Sequence, residues 1–540
     1  MQRFTKAGIV LIFLLYLIFG FFYLDIPSVK SDELWETSRA YYLKNHLHPG
    51  EPLLPKEIAP FFATIQELGW KSWFLGSLKF GTSAIVMAAL PMDPLHANRM
   101  NGFLWSISVC LFTFMLAKKF GLNKWFALMC SALLIALPEF FQQVHRERPE
   151  MLLCSLLLAG ILMLLKALDS DDDKTRKIWL LAAGLYAWLP SLVVHATGIV
   201  IPATLGIIYL IRERKNIFSL NTIIIGIGLG SGLLFFFYIK NSMGAYALSQ
   251  GGTDFYDSHA CPPIVCEGIT YLARIPSIFY NKFVKTNVVS QPLSALIFIL
   301  GSGFLVFSAW KKRKDEAAEK FIILFTGIAV PLLIMLLLSG SYGNYNVIVA
   351  PFAVIGVVMM LQTWLAEQAN ENSIVAKFII PVLLLACLGS NVFGMQNQYA
   401  ATREYKRVNA ELRAAIPADA NVMGMSLYYL PFRDQNYYSV TWFEPSVGKP
   451  GLTFAQAVRM KNINYVIADD AFASRANFRG KEWADTLVAF LETNATLTKQ
   501  FDAKMYLKII PDSMQIPVQF RYPEYEKGYV KRIRIYKINN

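Results

Sequence analysis

The stretch AGIVLIFLLYLIFGFFYL, residues 7–24, followed by SDELWE, residues 31–36, decides how this chain is read. As a helix rising about 1.5 Å per residue, the first stretch is long enough to cross hydrocarbon. The second places Asp32, Glu33 and Glu36 just beyond it, at a membrane boundary. Carboxylates there need a reason, because taking their charge into the bilayer is costly.

Working outward, apolar runs of similar length recur along the chain. The 540 residues are 55% hydrophobic and 16% charged, where a soluble domain carries about 25% charge. Mean hydropathy is +0.40. Together these select a polytopic α-helical membrane protein. The net charge of +13 lies in short clusters between apolar runs. That pattern fits loops on the positive side of a membrane and contact with anionic membrane lipids, and it argues against nucleic acid as a partner. The N-terminal run is too long for a cleaved signal peptide and lacks a small-residue exit, so it is expected to stay as an anchor. Cys110, Cys130, Cys154 and Cys387 fall in apolar segments and read as packing residues. Cys261 and Cys266 sit in a polar loop, where a disulfide would fit an oxidising compartment.

Charge sets the topology. Spans are expected near 7–24, 100–117, 125–142, 150–167, 178–190, 192–211, 220–239, 291–310, 320–339, 346–364 and 375–393, about eleven transmembrane helices. The apolar stretch 73–90 is a further candidate, but counting it would throw Lys118, Lys119 and Lys124 to the outer side. With it excluded, those lysines share the inner side with Lys174, Arg176, Lys177, Arg212, Arg214, Lys215 and the run 311–314. Residues 73–90 therefore read as an interfacial or re-entrant element in a long first outer loop, 25–98. The N-terminus is cytoplasmic on this reading, and the C-terminus lies outside. Two domains are expected: a transmembrane domain over 1–394, which includes the long loop, and an extracytoplasmic α/β domain over 395–540. In the latter, Asn421 to Met425, Asn464 to Ala468 and Arg532 to Tyr536 read as strands, and Phe454 to Met460 and Glu482 to Leu491 as helices.

The outer ends of the spans collect the chemistry. The first loop holds Asp32, Glu33, Trp35, Glu36, Arg39 and Lys79; the second holds His145, Arg146, Glu147, Arg148 and Glu150; a later one holds Asn344 and Tyr345. Such a set at a membrane surface suits a lipid-linked phosphate, whose tail stays in the bilayer while its head enters the cavity. Sugar transfer from that phosphate needs a carboxylate to accept the acceptor's hydroxyl proton. It also needs positive charge or a metal to stabilise the leaving phosphate. Asp32 is the candidate base, with Glu33 and Glu150 beside it in the catalytic set. Lys79, Arg148 and Arg146 are candidates for donor phosphate, and Trp35, Glu36, His145, Asn344 and Tyr345 for the substrate cavity. A divalent metal, Mg or Mn, is an alternative source of positive charge, with Asp32 and Glu150 as candidate ligands.

Four stretches carry a resemblance to a known family. Ser31-Asp32-Glu33-Leu34-Trp35-Glu36, with Ser38-Arg39 and Tyr41-Tyr42-Leu43 behind it, resembles an acidic motif opening a first outer loop. Gly76-Ser77-Leu78-Lys79 resembles a lysine-bearing element later in that loop. Asn98-Arg99-Met100 resembles the entry to a second helix, and Arg148-Pro149-Glu150 resembles an R-P-D motif with Glu150 in place of Asp. In order and placement these are similar to the GT-C membrane glycosyltransferases, the group of protein O-mannosyltransferases and lipid A aminoarabinose transferases. The resemblance implies a polyprenyl-phosphate-linked sugar donor and an inverting transfer. It also implies an acceptor in the cell envelope, in lipopolysaccharide or glycan biosynthesis, at the outer face of the cell inner membrane with a periplasmic C-terminal domain.

Plainer readings stand beside these. Ser31 or Asp32 also reads as a helix cap with acids in the first turn; Lys79 can snorkel from an interfacial helix; Arg148 and Glu150 can pair with their neighbours. His195, in an apolar span, reads as an inter-helix hydrogen-bonding residue. Asp171-Asp172-Asp173 resembles a metal-binding D-x-D but falls among cytoplasmic lysines, so it reads as a solvated loop. The competing function is a flippase or transporter of lipid-linked saccharides, which would place ionisable groups at mid-membrane rather than at span ends.

Overall fold

The computed structural model describes residues 31–49, 52–53, 73, 77–144, 149–193, 196–249, 292–338, 346–367, 403–440, 453–469, 489–503 and 531–539, with parts of 13–24, 269–280 and 382–391. The chain forms two compact units. The first comprises Met1–Phe22, Arg99–Tyr238 and Pro262–Phe393; the second comprises Tyr23–Asn98, Ile239–Cys261 and Gly394–Asn540. The long first loop therefore groups with the C-terminal segment by contact, although chain order sets them apart.

The first unit is helical. Among the described residues, six helices are long and apolar enough to cross a membrane: Pro94–Lys119, Glu150–Leu168, Leu220–Ile239, Pro292–Lys311, Ala318–Leu337 and Asn346–Ala366. This is a multi-pass membrane protein. Ile223, Ile227 and Leu234 on one of these helices, and Ile299, Val306 and Phe307 on another, expose their side chains, as residues facing lipid do. Asn346–Glu367 is the central helix, with Val347, Ile348, Val354, Ile355 and Val358 fully enclosed. It packs against Pro292–Lys311 at glycines: a Cβ on Gly356 would lie 2.7 Å from the Gly301 carbonyl oxygen. Without that side chain the two backbones approach closely, which is how helices associate where no hydrophobic force separates them from lipid.

Local chemistry shifts several expected boundaries. The span expected over 125–142 is two helices, Lys124–Ala136 and Pro138–Val144. Leu137 between them is extended (φ −63°, ψ 128°), because proline disfavours helical backbone in the residue before it. Asp173–Val193 is one helix, followed by a 3-10 turn at Ala196–Ile199 and the helix Val200–Arg212. Asp172 caps the first of these, its Oδ2 accepting the Thr175 N–H at 2.8 Å. The acidic triplet thus starts a helix.

The second unit opens with α1, Ser31–His46, and α2, Ser77–Ala89. At 13 described residues α2 is shorter than a crossing requires. Helix α3, Pro94–Lys119, begins in this unit and continues into the first. Asp93 caps it, its Oδ1 accepting the Leu95 N–H at 3.0 Å, and Pro94 occupies the first helical position, where a missing N–H costs nothing. The C-terminal segment holds a helix over 403–415 and a five-stranded mixed sheet. Its strands are β1 Val422–Gly424, β2 Tyr437–Ser439, β3 Tyr465–Ala468, β4 Ala495–Ala503 and β5 Lys531–Ile538, in the order β2-β1-β3-β5-β4. The β1 pairings with β2 and β3 are parallel, and β5 runs antiparallel to β3 and β4. Phe454–Met460 is a helix with a reciprocal cap between Thr453 and Gln456.

Candidate active site

Helix α1 begins at Ser31, so Asp32 and Glu33 fall in its first turn, where carboxylates are favoured by the helix dipole. Asp32 sits one turn before Glu36; its side chain lies outside the described residues. Glu33 is buried at 2% exposure. Thr37 donates its hydroxyl to the Glu33 carbonyl at 2.7 Å and accepts Asn98 Nδ2 at 2.9 Å. That buried hydrogen bond ties α1 to the start of α3.

The next face of α1 meets α2. Glu36, Arg39 and Leu43 recur at helical spacing. Leu43 packs with Phe80 and Ala84 of α2 in a small core of their own. Beside that core, Lys79 Nζ lies 2.9 Å from Glu36 Oε1. The side-chain exposures are 3% for Lys79 and 22% for Glu36, so the pair is mostly enclosed and opens to solvent only on the carboxylate side. The Arg39 guanidinium lies 5.2 Å from the Phe80 ring centroid and 6.0 Å from that of Trp35, at cation–π range. The contact between α1 and α2 therefore gathers an ammonium from α2, and from α1 a carboxylate that orients it and a guanidinium held against two aromatic rings. Arg39 was assigned no role from sequence; its signal was helical spacing, three residues after Glu36 and four after Trp35.

The first unit holds the other described candidates. Glu150 is the second residue of Pro149–Leu168 and fully buried, in a first turn where its charge is favoured. Arg99, in the second turn of α3, is the largest fully buried side chain. A buried guanidinium at the head of a membrane helix requires acceptors around it. His145, Arg146, Arg148, Asn344, Tyr345, His195, Cys261 and Cys266 lie outside the described residues.

Among the described residues, no group of three or more His, Cys, Asp or Glu side chains gathers to hold a metal. Glu36 is already bound to Lys79. Of the two candidate metal ligands, Glu150 is buried and the Asp32 side chain lies outside the described residues. At the head of α3, the Asp93 carboxyl is held below its ordinary value of 3.8. Burial, the largest effect, raises it. The hydrogen bond and charge of His96, with the backbone N–H groups of His96 and Leu95, outweigh that.

No family model matches the chain, and no curated protein matches it. The three-dimensional comparison is more telling. ArnT from Cupriavidus metallidurans, in the apo state, superposes with a TM-score of 0.56, covering 98% of this chain and 98% of that one at 12% identity. This is the GT-C fold. The Archaeoglobus fulgidus oligosaccharyltransferase gives TM-scores of 0.51 when tethered to an acceptor peptide containing the NVT sequon, and 0.50 in the apo form. These cover 92% and 85% of this chain, and 73% and 70% of the archaeal one, at 11% and 12% identity. At such identities the likeness is one of fold. In this chain the acidic motif and the lysine element, read from sequence as separate matches, meet as α1 and α2.

Proposed function

We propose that this protein is a membrane glycosyltransferase. It moves a sugar from a polyprenyl-phosphate-linked donor to a hydroxyl of a cell-envelope lipid, glycan or protein, with inversion, at the outer face of the inner membrane. The observation that carries the reading is the pair between Lys79 of α2 and Glu36 of α1, the helix whose first turn bears Asp32, within a chain whose fold resembles that of ArnT over 98% of its length. ArnT is a lipid A aminoarabinose transferase. About eleven spans, a cytoplasmic N-terminus and a periplasmic C-terminal domain belong to the same proposal.

In the reaction, the Asp32 carboxylate accepts the proton of the acceptor hydroxyl. The hydroxyl oxygen attacks the anomeric carbon from the face opposite the phosphate. The carbon–oxygen bond to phosphate breaks with its electron pair, releasing polyprenyl phosphate. Lys79 stabilises the charge growing on that phosphate, with Arg148 and Arg146. Glu36 holds the Lys79 ammonium in place before substrate arrives, so little reorganisation is needed during transfer. Glu33 and Glu150 complete the catalytic set, and His145, Asn344 and Tyr345 line the cavity. A divalent metal, if bound, would add Lewis-acid charge at the phosphate.

The test is transfer by the purified full chain from a panel of polyprenyl-phosphate sugars, with and without chelator. Transfer from one donor supports the proposal, and the chelator arm decides the metal. Movement of lipid-linked saccharide across vesicles without transfer would replace the enzyme with a transporter.

A further inference from the structure

We propose that the C-terminal sheet sets the position of helix α1, and that Trp35 and Tyr41 are positioning residues through which it does so. The proposal rests on the reading of α1 as the catalytic helix.

The four sequence-distant contacts that carry it lie within the second unit. Leu34, fully buried, shares one hydrophobic core with Leu53 and Leu95 of the first loop and with Val408, Leu427 and Tyr428 of the C-terminal segment. Trp35, half-buried, packs against that core and also against a second one built around Met423, Phe454 and Val466; Met425 does the same. The Tyr41 hydroxyl donates to Asp434 Oδ1 at 2.6 Å. The Ser439 N–H, in β2, donates to the Leu53 carbonyl at 3.0 Å. The support continues inward. Helix α1 packs on the 3-10 turn Ser426–Tyr428. The Tyr428 hydroxyl in that turn donates at 2.7 Å to Asp469, which is 1% exposed at the end of β3. A hydrogen bond to a carboxylate buried this deeply is costly to lose, and it anchors the turn.

Trp35 lies at the junction. Its ring packs on both sheet cores and also lies within cation–π range of Arg39. A tryptophan so placed transmits the position of the sheet to the charged face of α1. Burial, and next the hydrogen bond to Asp434, raise the Tyr41 hydroxyl above its ordinary value of 10.0. Tyr41 is therefore a neutral donor throughout the physiological range.

The experiment uses the full chain in detergent, with two readouts. One is steady-state transfer from a polyprenyl-phosphate sugar; the other is backbone hydrogen exchange over 31–46, which needs no activity. Trp35→Ala is expected to lower kcat about 100-fold, the cost of a misplaced catalytic group, with KM for the donor nearly unchanged. Trp35→Phe retains activity within a few-fold. Met425→Ala, on the sheet side, reproduces the loss in milder form. Asp434→Ala lowers kcat about fivefold, and Asp434→Asn, which keeps an acceptor oxygen, restores it. Exchange over 31–46 rises in each impaired variant, while that over 465–468 does not. A higher KM with kcat retained in Trp35→Ala would make Trp35 a substrate contact and overturn the proposal, as would unchanged exchange over 31–46 in Trp35→Ala and Asp434→Ala. Should Trp35→Ala fail to fold, the Asp434 pair of variants decides the matter. Wild-type protein that transfers nothing would defeat the functional reading alone, and hydrogen exchange would still judge the positioning.

Discussion

Two sets of ion pairs in this molecule use the same residue types to different ends. In the second unit, Lys79 pairs with Glu36 at 3% side-chain exposure. In the first, Asp169 binds both Lys119 and Arg212, Arg212 also binds Glu319, and Arg176 binds Glu213. The cations there are 40% exposed at Lys119 and 34% at Arg212. The Lys119 and Arg212 pairs are water-screened contacts, each worth about 1 kcal/mol or less, whereas Arg176–Glu213, at 24% and 10% exposure, is more enclosed. The Lys79 pair is mostly enclosed, so replacing Lys79 takes the ammonium from a partly buried Glu36 carboxylate. A protein retains such a pair at a stability risk, and the proposed function gives this one a use at the donor phosphate.

Three substitutions would break or sharpen that contrast. Lys79→Met should have the largest effect. It should abolish donor binding and destabilise the full chain by about 3 kcal/mol, read by thermal unfolding in detergent. The double variant with Glu36→Gln should recover part of the stability but none of the activity, because it removes the stranded charge without replacing the ammonium. Unchanged donor-lipid binding in Lys79→Met would reduce Lys79 to a structural role. Gly356→Leu comes next. Its side chain would meet the Gly301 backbone, so destabilisation of about 2 kcal/mol by overpacking is expected, and an unshifted melting temperature would show that the two helices separate easily. Lys119→Ala should be smallest, at under about 1 kcal/mol, and should weaken further with added salt.

A pH series adds a third kind of charged contact, the cap of α3. The Asp93 carboxyl is depressed in the folded protein. Its stabilisation is therefore complete above the ordinary value of 3.8 and fades as pH falls through the lower folded value. The difference in melting temperature between wild type and Asp93→Asn should shrink as pH falls below about 4. A difference that persisted unchanged through that range would mean that another group controls this cap.

Much of the fold was legible because its signals are local. The helix Phe454–Met460 was readable to the residue, with Thr453 before it and Gln456 three positions on. Strands β1, β3 and β5 carry apolar side chains at their centres, and each was anticipated within a residue or two. Strand β2 was missed because three residues, Tyr437–Ser439, are too few to show a period. Strand β4 was missed because Ala495–Ala503 is an edge strand whose apolar alternation is interrupted at Lys499, where the register with β5 also shifts. In the candidate site, the acids and Lys79 were legible as residues able to do this chemistry. Their meeting was not, because the segment between α1 and α2 carries no periodic signal that fixes their contact. The grouping of residues 23–98 with 394–540 was equally hidden. It depends on Leu34, Leu53 and Leu95 finding one core with a segment hundreds of positions away, and chain order gives no hint of that.

The most direct test of the central claim is single-turnover sugar transfer by wild type beside Asp32→Asn, in protein whose melting temperatures match. The account predicts that the variant binds donor normally and transfers at least about 100-fold more slowly, because the acceptor hydroxyl keeps its proton. Transfer at the wild-type rate by Asp32→Asn would contradict it and remove α1 from the chemistry.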